Sequence, residues 1–308
     1  MKVHASLAAA AGSGNLEGAA ACLGNFDGVH LGHQALFAEA RRHGPPAAIT
    51  FLPHPGKVLQ PELAPRLITV QARKLELLEE AGLEQVVVQP FDLQFAKTLA
   101  SQFEQILFEQ LKVKAVVVGS DFTYGQKRAG TVHTLTAAAE RSGARVAVVA
   151  PVSVDGVVVS SSRVREYVLE GRVAAARRLL GRSFDLDGTV VPGQGRGRTI
   201  GFPTANIDTQ NELRPAPGVY AVRARVLDST VWHGGAANIG VKPTFGGSEV
   251  TVEAHLFDFA GDLYAKRLRV QFLDRLRAEQ RFASVAELSG QIARDVESAR
   301  EAVARLSA

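Results

Sequence analysis

Short apolar runs alternate with amphipathic segments from about residue 19 to residue 150, and this alternation constrains the fold more than any other feature. The apolar runs are β-branched and bounded by turn residues, which predicts strands over 19–23, 46–51, 85–89, 114–119 and 145–152. The intervening segments space apolar residues by three and four and often stop at Gly, which predicts helices over 33–44, 70–83, 101–111 and 131–144. This strand and helix repetition is typical of an α/β domain with a parallel doubly wound sheet.

The second half of the chain has a different pattern. Alternating runs joined by Gly- and Pro-rich turns predict strands over 183–191, 218–228, 230–240, 249–259 and 266–276. They indicate a small antiparallel β-barrel or sandwich, followed by a terminal helix over 284–306. A helical stretch over 160–182 closes the first domain, so we predict domains over 1–182 and 183–308, in keeping with a length of 308 residues.

Composition narrows the classes of partner. Hydrophobic residues make up 46% and charged residues 21%, as in a globular protein with a proper core. The net charge is +4, because 35 basic residues are nearly balanced by 31 acidic ones, and the sequence contains no long basic block. This balance favours small anionic ligands over nucleic acid. Cys22 is the only cysteine, so no intrachain disulfide and no cysteine-based zinc cluster is expected. Without a long apolar run, we expect a cytoplasmic protein with no membrane partner.

The densest motif of the first half is GNFDGVHLGH, residues 24–33, directly after a predicted strand. Its glycines allow a sharp turn, and a helix beginning near Leu31 would aim free N–H groups at an anion, which predicts a phosphate site. The spacing of His30 and His33 brings both side chains to one side. Zinc is a lesser alternative, because Asp27 is close but no cysteine ligand exists. A helix cap or a core histidine explains either residue alone better than both.

The usual nucleotide fingerprints, G-x-G-x-x-G and G-x-x-x-x-G-K-[ST], do not fit this site. Three further segments accompany the motif in order: FLPHPGKVL (51–59), VVGSDFTYGQKRAGT (117–131) and VSSSRVREYVLEGRV (159–173). Together the four segments resemble the nucleotidyltransferase superfamily, in the version carried by the bacterial bifunctional riboflavin kinase/FAD synthetase family. The resemblance implies a Rossmann-like nucleotidyltransferase domain that transfers AMP from ATP to FMN and releases pyrophosphate.

The same resemblance assigns roles to individual residues. It implies that His30 and His33 act catalytically at the α-phosphate of ATP. It assigns the nucleotide to Gly24, Phe26, Gly32, Ser161, Ser162 and Arg165, and the flavin to His54, Gly119, Asp121, Phe122 and Arg128. Ser162 stands where Thr is usual, which keeps the hydroxyl, and Arg163 adds a cation without an assigned role. By itself, the PHP segment around His54 predicts only a rigid turn.

In the second half, GQGRGRTIGFPTANI (193–207) combines glycines and arginines that could cradle phosphates, although such loops are commonly solvated surface. Thr204 and Asn206 follow, two residues apart. In an extended segment that spacing puts both on one face, where their oxygens could ligate a Mg²⁺ ion that carries nucleotide phosphates.

GFPTAN (201–206), PGVYA (217–221), NIGVKPTF (238–245) and the stretch 252–292 resemble the riboflavin kinase domain of the same family. The resemblance implies a six-stranded antiparallel barrel that phosphorylates riboflavin. It assigns Gly201, Thr204 and Asn206 to the nucleotide, the latter two to Mg²⁺ as well, and Glu253 to general-base catalysis. A purely structural alternative pairs Glu253 with Arg269 or Arg223. Ala265 departs from the family, in which Gly is commoner.

The sequence therefore predicts a bifunctional enzyme with ATP as co-substrate, Mg²⁺ as cofactor, and riboflavin, FMN and FAD as substrate and products. We expect a monomer or weak homo-oligomer. Alternatives are an enzyme that retains one activity, a non-catalytic flavin sensor, and an oligonucleotide-binding barrel. The last would rely on exposed aromatic residues, which are only 6% of this chain.

Overall fold

The structure is a computed structural model that describes residues 1–193, 197, 200–244 and 247–307. The chain forms two compact units. The first contains Met1–Arg66 and Gln71–Ser160, and the second contains Leu67–Val70 and the chain from Ser161 onward. The helical stretch over 160–182, predicted to close the first domain, therefore packs almost entirely within the second unit. The division by function, 1–182 and 183–308, stays a prediction.

The first unit is built on a six-stranded sheet with the order β1-β4-β3-β2-β5-β8, in which every neighbouring pair is parallel. The prediction of a parallel α/β sheet is thus confirmed. The strands are Lys2–His4 (β1), Ala20–Leu23 (β2), Pro46–Leu52 (β3), Gln85–Pro90 (β4), Ala115–Gly119 (β5) and Arg145–Val149 (β8), with short ribbons Thr123–Tyr124 (β6), Gly130–Thr131 (β7), Ser153–Val154 (β9) and Val157–Val158 (β10).

Helices cover both faces of this sheet. They are Leu7–Ser13 (α1), Leu31–Ala40 (α2), Pro55–Leu59 (α3), Gln71–Glu80 (α4), Ala100–Gln105 (α5), continued by a π-helical turn over Ile106–Gln110, and Val132–Arg141 (α6). The strand β2 shows why both faces are apolar: Ala21 and Leu23 belong to one buried cluster, whereas Ala20 and Cys22 belong to the other. Side chains alternate between faces along a strand, so a sheet buried on both sides reads as a continuous apolar run.

The strand order creates a crevice at one edge of the sheet. From β2 the chain moves to β3 and β4 on one side and then to β5 on the other side of β2. Connections that leave β2 and β5 in opposite directions open a crevice at the carboxyl ends of these strands, which is where such sheets bind ligands.

The second unit contains a closed antiparallel barrel with the strand order β11-β12-β15-β14-β13-β16. Its strands are Phe184–Val191 (β11), Ala205–Thr209 (β12), Gly218–Val226 (β13), His233–Thr244 (β14), Gly247–Leu256 (β15) and Arg267–Arg277 (β16). The barrel prediction is confirmed, and the sandwich alternative is not realised. The sequence predicts five of these six strands, and it predicts only an extended segment at β12.

Three helices complete the described part of the second unit: Ser161–Leu169 (α7), Val173–Leu180 (α8) and Val285–Ser307 (α9). The single helix predicted over 160–182 is two, because the chain turns at Gly171 with φ +77°. A Cβ there would lie 2.7 Å from the Tyr220 hydroxyl. The helix α8 packs on β11 and β16, and α9 packs on β13, β14 and β16. None of the described helices is both long and apolar enough to cross a bilayer.

Candidate active sites

The first site starts with a strained turn after β2. Phe26, Gly28 and Val29 have φ of +50°, +81° and +44°. The left-handed region is costly for a β-branched residue such as Val29, and such strain persists only where the surroundings over-determine it. Here Phe26 and Val29 are buried, and the Phe26 ring packs on Phe37 with centroids 5.1 Å apart. Burial of these two side chains therefore holds the turn in its strained form.

The two histidines begin the helix α2. His30 is its N-cap, and its Nδ1 accepts a hydrogen bond from the backbone N–H of His33 at 3.3 Å. This places the proton of a neutral His30 on Nε2. The rings of His30 and His33 are stacked, with centroids 3.6 Å apart and planes 16° apart. A side chain at Gly32 would meet the His30 ring at 3.1 Å, so glycine is needed there.

The environment of His33 favours its neutral form. Burial lowers its pKa well below the ordinary value, and the charges of His30 and Lys74 lower it further. The edge of the Phe26 ring packs against it at 5.3 Å. Its Nδ1 is buried without a hydrogen-bond partner in the described structure. A buried polar atom without a partner is rare and calls for an explanation, such as a ligand that completes the bond.

The geometry bears on the alternatives for these histidines. His30 is indeed a helix cap, but the capping role leaves the unsatisfied nitrogen of His33 unexplained. Among the described residues, no group of three or more His, Cys, Asp or Glu side chains is arranged to hold a metal ion. The zinc alternative therefore gains no support here.

His54 joins this turn from the neighbouring strand. It follows β3 and caps α3, with Nδ1 accepting from the Gly56 N–H at 3.1 Å. Its Nε2 lies 3.2 Å from the side-chain amide of Asn25. The PHP segment is thus a rigid turn, as its sequence alone predicts, and it also contacts the GNFDGVHLGH turn. Asn25 was not singled out in the sequence, although it lies inside the motif.

The residues after β5 leave the same edge of the sheet, because β5 is the neighbour of β2. Gly119 ends β5, and a Cβ there would lie 3.2 Å from the Asp121 carboxylate. The ring of Phe122 stacks on Tyr124 at 5.8 Å. The Nε of Arg128 donates to the Thr123 hydroxyl at 2.8 Å, with its backbone in the left-handed region at φ +58°.

The remaining residues predicted for this reaction lie in the second unit. Ser161, Ser162 and Arg165 occupy the first turns of α7, where Ser162 is exposed and the other two are half-buried. Arg163, which had no assigned role, forms an ion pair with Glu166 at 2.6 Å, one helical turn further on.

The second site is aligned by strand register. Asn206 on β12 is directly opposite Glu253 on β15, and Glu253 is directly opposite Asn238 on β14. Directly opposed residues have Cβ atoms about 4.5–5.5 Å apart. The residues on either side of each of these three in the chain are buried in the barrel: Ala205, Ile207, Ala237, Ile239, Val252 and Ala254. Because side chains alternate along a strand, Asn206, Glu253 and Asn238 themselves face outward. The sequence motifs do not identify Asn238 as a site residue.

Glycines and a histidine shape the surroundings of this row. A Cβ at Gly193 would collide with the side chain of Asn206, and one at Gly240 would lie 3.3 Å from the Asn238 amide. The Nδ1 of His255 donates to the carbonyl of Pro203 at 2.8 Å, next to Thr204, which is exposed. Gly201 has φ +86°. Of the Gly/Arg loop, residues 194–196, 198 and 199 lie outside the described residues.

The two arginines considered as structural partners of Glu253 have other partners. Arg269 is buried and makes two hydrogen bonds to the Asp187 carboxylate, at 2.7 and 2.6 Å. Arg223 donates to the side chain of Gln271 at 2.6 Å. Ala265, the departure from the family, has φ +59°, so the turn keeps the left-handed conformation that favours glycine.

The fold and these two sites define a class: a transferase with a nucleotide-binding α/β unit and a separate barrel. A family model described as FAD synthetase matches residues 13–163, and one described as riboflavin kinase matches residues 180–303. Bifunctional riboflavin kinase/FMN adenylyltransferases are similar over nearly the whole length. That of Haemophilus influenzae is 38% identical, covering 92% of this chain and 94% of the relative. That of Escherichia coli K12 is 39% identical, covering 92% and 93%.

The Bacillus subtilis relative, with the same name, is 37% identical and covers 90% of both chains. A crystal structure described as a macrolide-efflux protein from Streptococcus pneumoniae superposes with a TM-score of 0.85 at 33% identity, covering 92% of this chain and 94% of that one. The chain belongs to the bifunctional riboflavin kinase/FMN adenylyltransferase family. It phosphorylates riboflavin to FMN and adenylylates FMN to FAD, as predicted, with the FAD synthetase match in the N-terminal region and the riboflavin kinase match in the C-terminal region.

Proposed function

We propose that the two reactions use separate residues: His30 and His33 for adenylyl transfer, and Asn206 and Glu253 for phosphoryl transfer. The observation that carries the proposal is the contrast between the two settings. The half-buried imidazole of His33, whose buried Nδ1 has no hydrogen-bond partner in the described structure, lies at a helix N-terminus in one unit. A carboxylate lies in register between two amides in the other unit.

In adenylyl transfer, an oxygen of the FMN phosphate attacks the α-phosphorus of ATP. The new P–O bond forms as the bond to the β-phosphate breaks, and pyrophosphate leaves. This chemistry needs positioning and charge stabilisation more than a covalent intermediate. The start of α2 supports such a role, because the dipole at a helix N-terminus favours an anion.

The other residues of the adenylyl site remain part of the proposal. Gly24, Phe26 and Gly32 shape the turn that carries the histidines, which supports a role at the nucleotide. The contact between His54 and Asn25 supports a role for the PHP segment beside that turn. Two groups are carried by the family resemblance: Ser161, Ser162 and Arg165 at the triphosphate, and Gly119, Asp121, Phe122 and Arg128 at the flavin.

In phosphoryl transfer, Glu253 accepts the proton of the ribityl 5′-hydroxyl as that oxygen attacks the γ-phosphorus, and ADP leaves. A general base must lie within hydrogen-bond reach of the proton that it takes. Glu253 is half-buried and outward-facing between Asn206 and Asn238, which supports a fixed position for the carboxylate.

The residues around Glu253 also fit Mg²⁺. The hydroxyl of Thr204 and the amide of Asn206 offer the hard oxygen donors that this ion prefers, and Mg²⁺ commonly takes only one or two protein ligands beside substrate phosphates. When bound, the ion would neutralise charge on the nucleotide phosphates. Gly201 would then contact the nucleotide from the preceding turn.

We also propose a cytoplasmic location, in keeping with Cys22 as the only cysteine, free and buried. A monomer or weak homo-oligomer is part of the same proposal. The proposal as a whole is tested by incubating the full-length protein with riboflavin, ATP and Mg²⁺ and separating the flavins by chromatography. FMN should appear first and FAD after it. Omission of Mg²⁺, checked with a chelator, should stop FMN formation; FMN formation at an undiminished rate would contradict the Mg²⁺ assignment.

A further inference from the structure

The helix α4 buries two neighbouring cations, Arg73 and Lys74, which are 5% and 7% exposed. Buried lysines are rare unless they are paired. Arg73 is paired within its own helix, with Glu76 at 3.0 Å and Glu80 at 2.8 Å. Lys74 instead reaches to other elements, so its burial needs a different explanation.

The ammonium of Lys74 bonds the turn that carries the histidines. Its Nζ donates to the backbone carbonyl of Asn25 at 3.4 Å and to the hydroxyl of Thr50 at 3.3 Å. The Thr50 hydroxyl donates to the same carbonyl at 3.0 Å. The Asn25 side chain contacts His54. Lys74 therefore connects α4, the strand β3 and Asn25, the first residue after Gly24.

Charge gives Lys74 a second effect. Burial lowers its pKa to about 8, against the opposing effect of the Asp27 carboxylate, so it carries a positive charge at neutral pH for most of the time. That charge, together with burial and His30, lowers the pKa of His33. The ionisable groups in this electrostatic network are thus Asp27 from the turn, His30 and His33 from the start of α2, and Lys74 from α4.

We propose that Lys74 is a positioning residue for adenylyl transfer. Its buried ammonium fixes the Asn25 end of the turn and adds to the effects of burial and of His30 in favouring the neutral imidazole of His33. Two imidazolium rings stacked at 3.6 Å would repel each other. A neutral His33 keeps the stacked pair intact when no anion is bound. The part of this proposal that concerns catalysis rests on the proposed function of His30 and His33; the part that concerns the ionisation of His33 does not.

The test compares Lys74→Met with Arg73→Met in the full-length protein. Each variant removes one buried cation from adjacent positions of α4. We expect Lys74→Met to lower kcat for FAD formation from FMN and ATP by about tenfold or more, while riboflavin phosphorylation changes by less than about twofold. Arg73→Met should lower the melting temperature and leave both kcat values within about twofold.

NMR titration of His33, assigned with a His33→Gln variant, separates positioning from a merely structural role. Removal of a nearby positive charge raises the pKa of an imidazole, so the His33 midpoint should move to higher pH in Lys74→Met. Lys74→Arg keeps the charge and should keep the low midpoint. Arg73→Met should leave the midpoint unchanged.

An unchanged kcat for FAD formation together with an unchanged His33 midpoint in Lys74→Met would overturn the proposal. If Lys74→Met does not fold, Thr50→Val removes the shared hydroxyl and keeps the charge. It should then lower kcat for FAD formation with the His33 midpoint unchanged, and wild-type kcat would overturn the positioning role.

If His30→Ala with His33→Ala still forms FAD, the proposed function of the two histidines fails. The His33 titration midpoint in Lys74→Met still decides whether Lys74 affects the ionisation of His33.

Discussion

The two sites of this chain are built in opposite ways. In the first unit, the site residues lie on loops and at the start of α2, beyond the carboxyl ends of strands, and at least two non-glycine residues of the main turn have left-handed backbone angles. In the barrel, Asn206, Asn238 and Glu253 lie on the strands themselves and are aligned by hydrogen-bonded register. A loop can gather residues from distant segments at the expense of strain, whereas a strand positions its residues without strain but only at alternate positions.

The largest expected effect separates the two sites altogether. His30→Ala combined with His33→Ala should lower FAD formation by about a thousandfold or more, because both histidines proposed to act at the α-phosphate are lost. FMN formation should persist, as measured by chromatography of the flavins. His43→Ala, which removes a histidine that pairs with Glu39 just beyond α2, is the matched control. Loss of both activities in a folded double variant would contradict the separation.

Glu253→Gln makes the reverse test. The amide keeps the size of the side chain but cannot accept a proton, so riboflavin phosphorylation should fall by about a hundredfold or more. FMN that is supplied should still be adenylylated at the wild-type rate. Glu297→Gln, on an exposed position of α9, should leave both rates unchanged. Normal phosphorylation by Glu253→Gln would exclude Glu253 as the base.

Asn238→Ala tests whether register alone identifies a site residue. If its amide helps to hold the Glu253 carboxylate, phosphorylation should fall by about tenfold, as for a lost hydrogen bond to a charged group. Adenylylation should not change. Steady-state kinetics of both reactions provide the measurement. An unaffected phosphorylation rate would show that Asn238 does not contribute to the kinase site.

The smallest effect concerns strain outside the sites. Ala265 has φ +59°, which costs an alanine about 1 kcal/mol, so Ala265→Gly should raise the free energy of unfolding of the barrel by about 0.5–1 kcal/mol. Both kcat values should stay the same. Ala260→Gly, in the same loop but without a positive φ, should lower the unfolding free energy slightly. Equal effects of the two substitutions in urea unfolding would show that the turn is not strained.

Much of the fold follows from local pattern. In the six-stranded sheet, the apolar runs predict every strand except β1, whose three residues KVH lack an apolar run. The strand β12, ANIDT, contains Asn and Asp, which are depleted in strands, and so has little strand signal. Closure of the barrel depends on pairing between distant strands, so the sequence alone leaves a sandwich open. The helical stretch over 160–182 breaks at Gly171, which has φ +77° and at which a Cβ would lie 2.7 Å from the hydroxyl of Tyr220, 49 residues further along the chain.

The sites follow the same division. His30, His33, Thr204 and Asn206 stand out because close spacing within a short segment is itself a signal. Lys74 and Thr50 do not stand out, because Lys74 belongs to an ordinary charged helix and Thr50 lies within an apolar strand. Only the folded chain brings them to Asn25. Asn238 has a signal that could have been used: it alternates with buried Ala237 and Ile239 on a predicted strand.

The packing of the second unit has a consequence for exchanging parts between related enzymes. The segment Leu67–Val70 belongs to this unit, with the Leu67 N–H donating to the Glu212 carboxylate at 3.0 Å, and α8 rests on β11 and β16. A riboflavin kinase region that is transferred from residue 183 onward would lack the helices α7 and α8 and also the segment Leu67–Val70, all of which belong to this unit. A chimaera that keeps the barrel together with its packing partners therefore needs two exchanged segments, and one of them, Leu67–Val70, lies within the region that matches FAD synthetase.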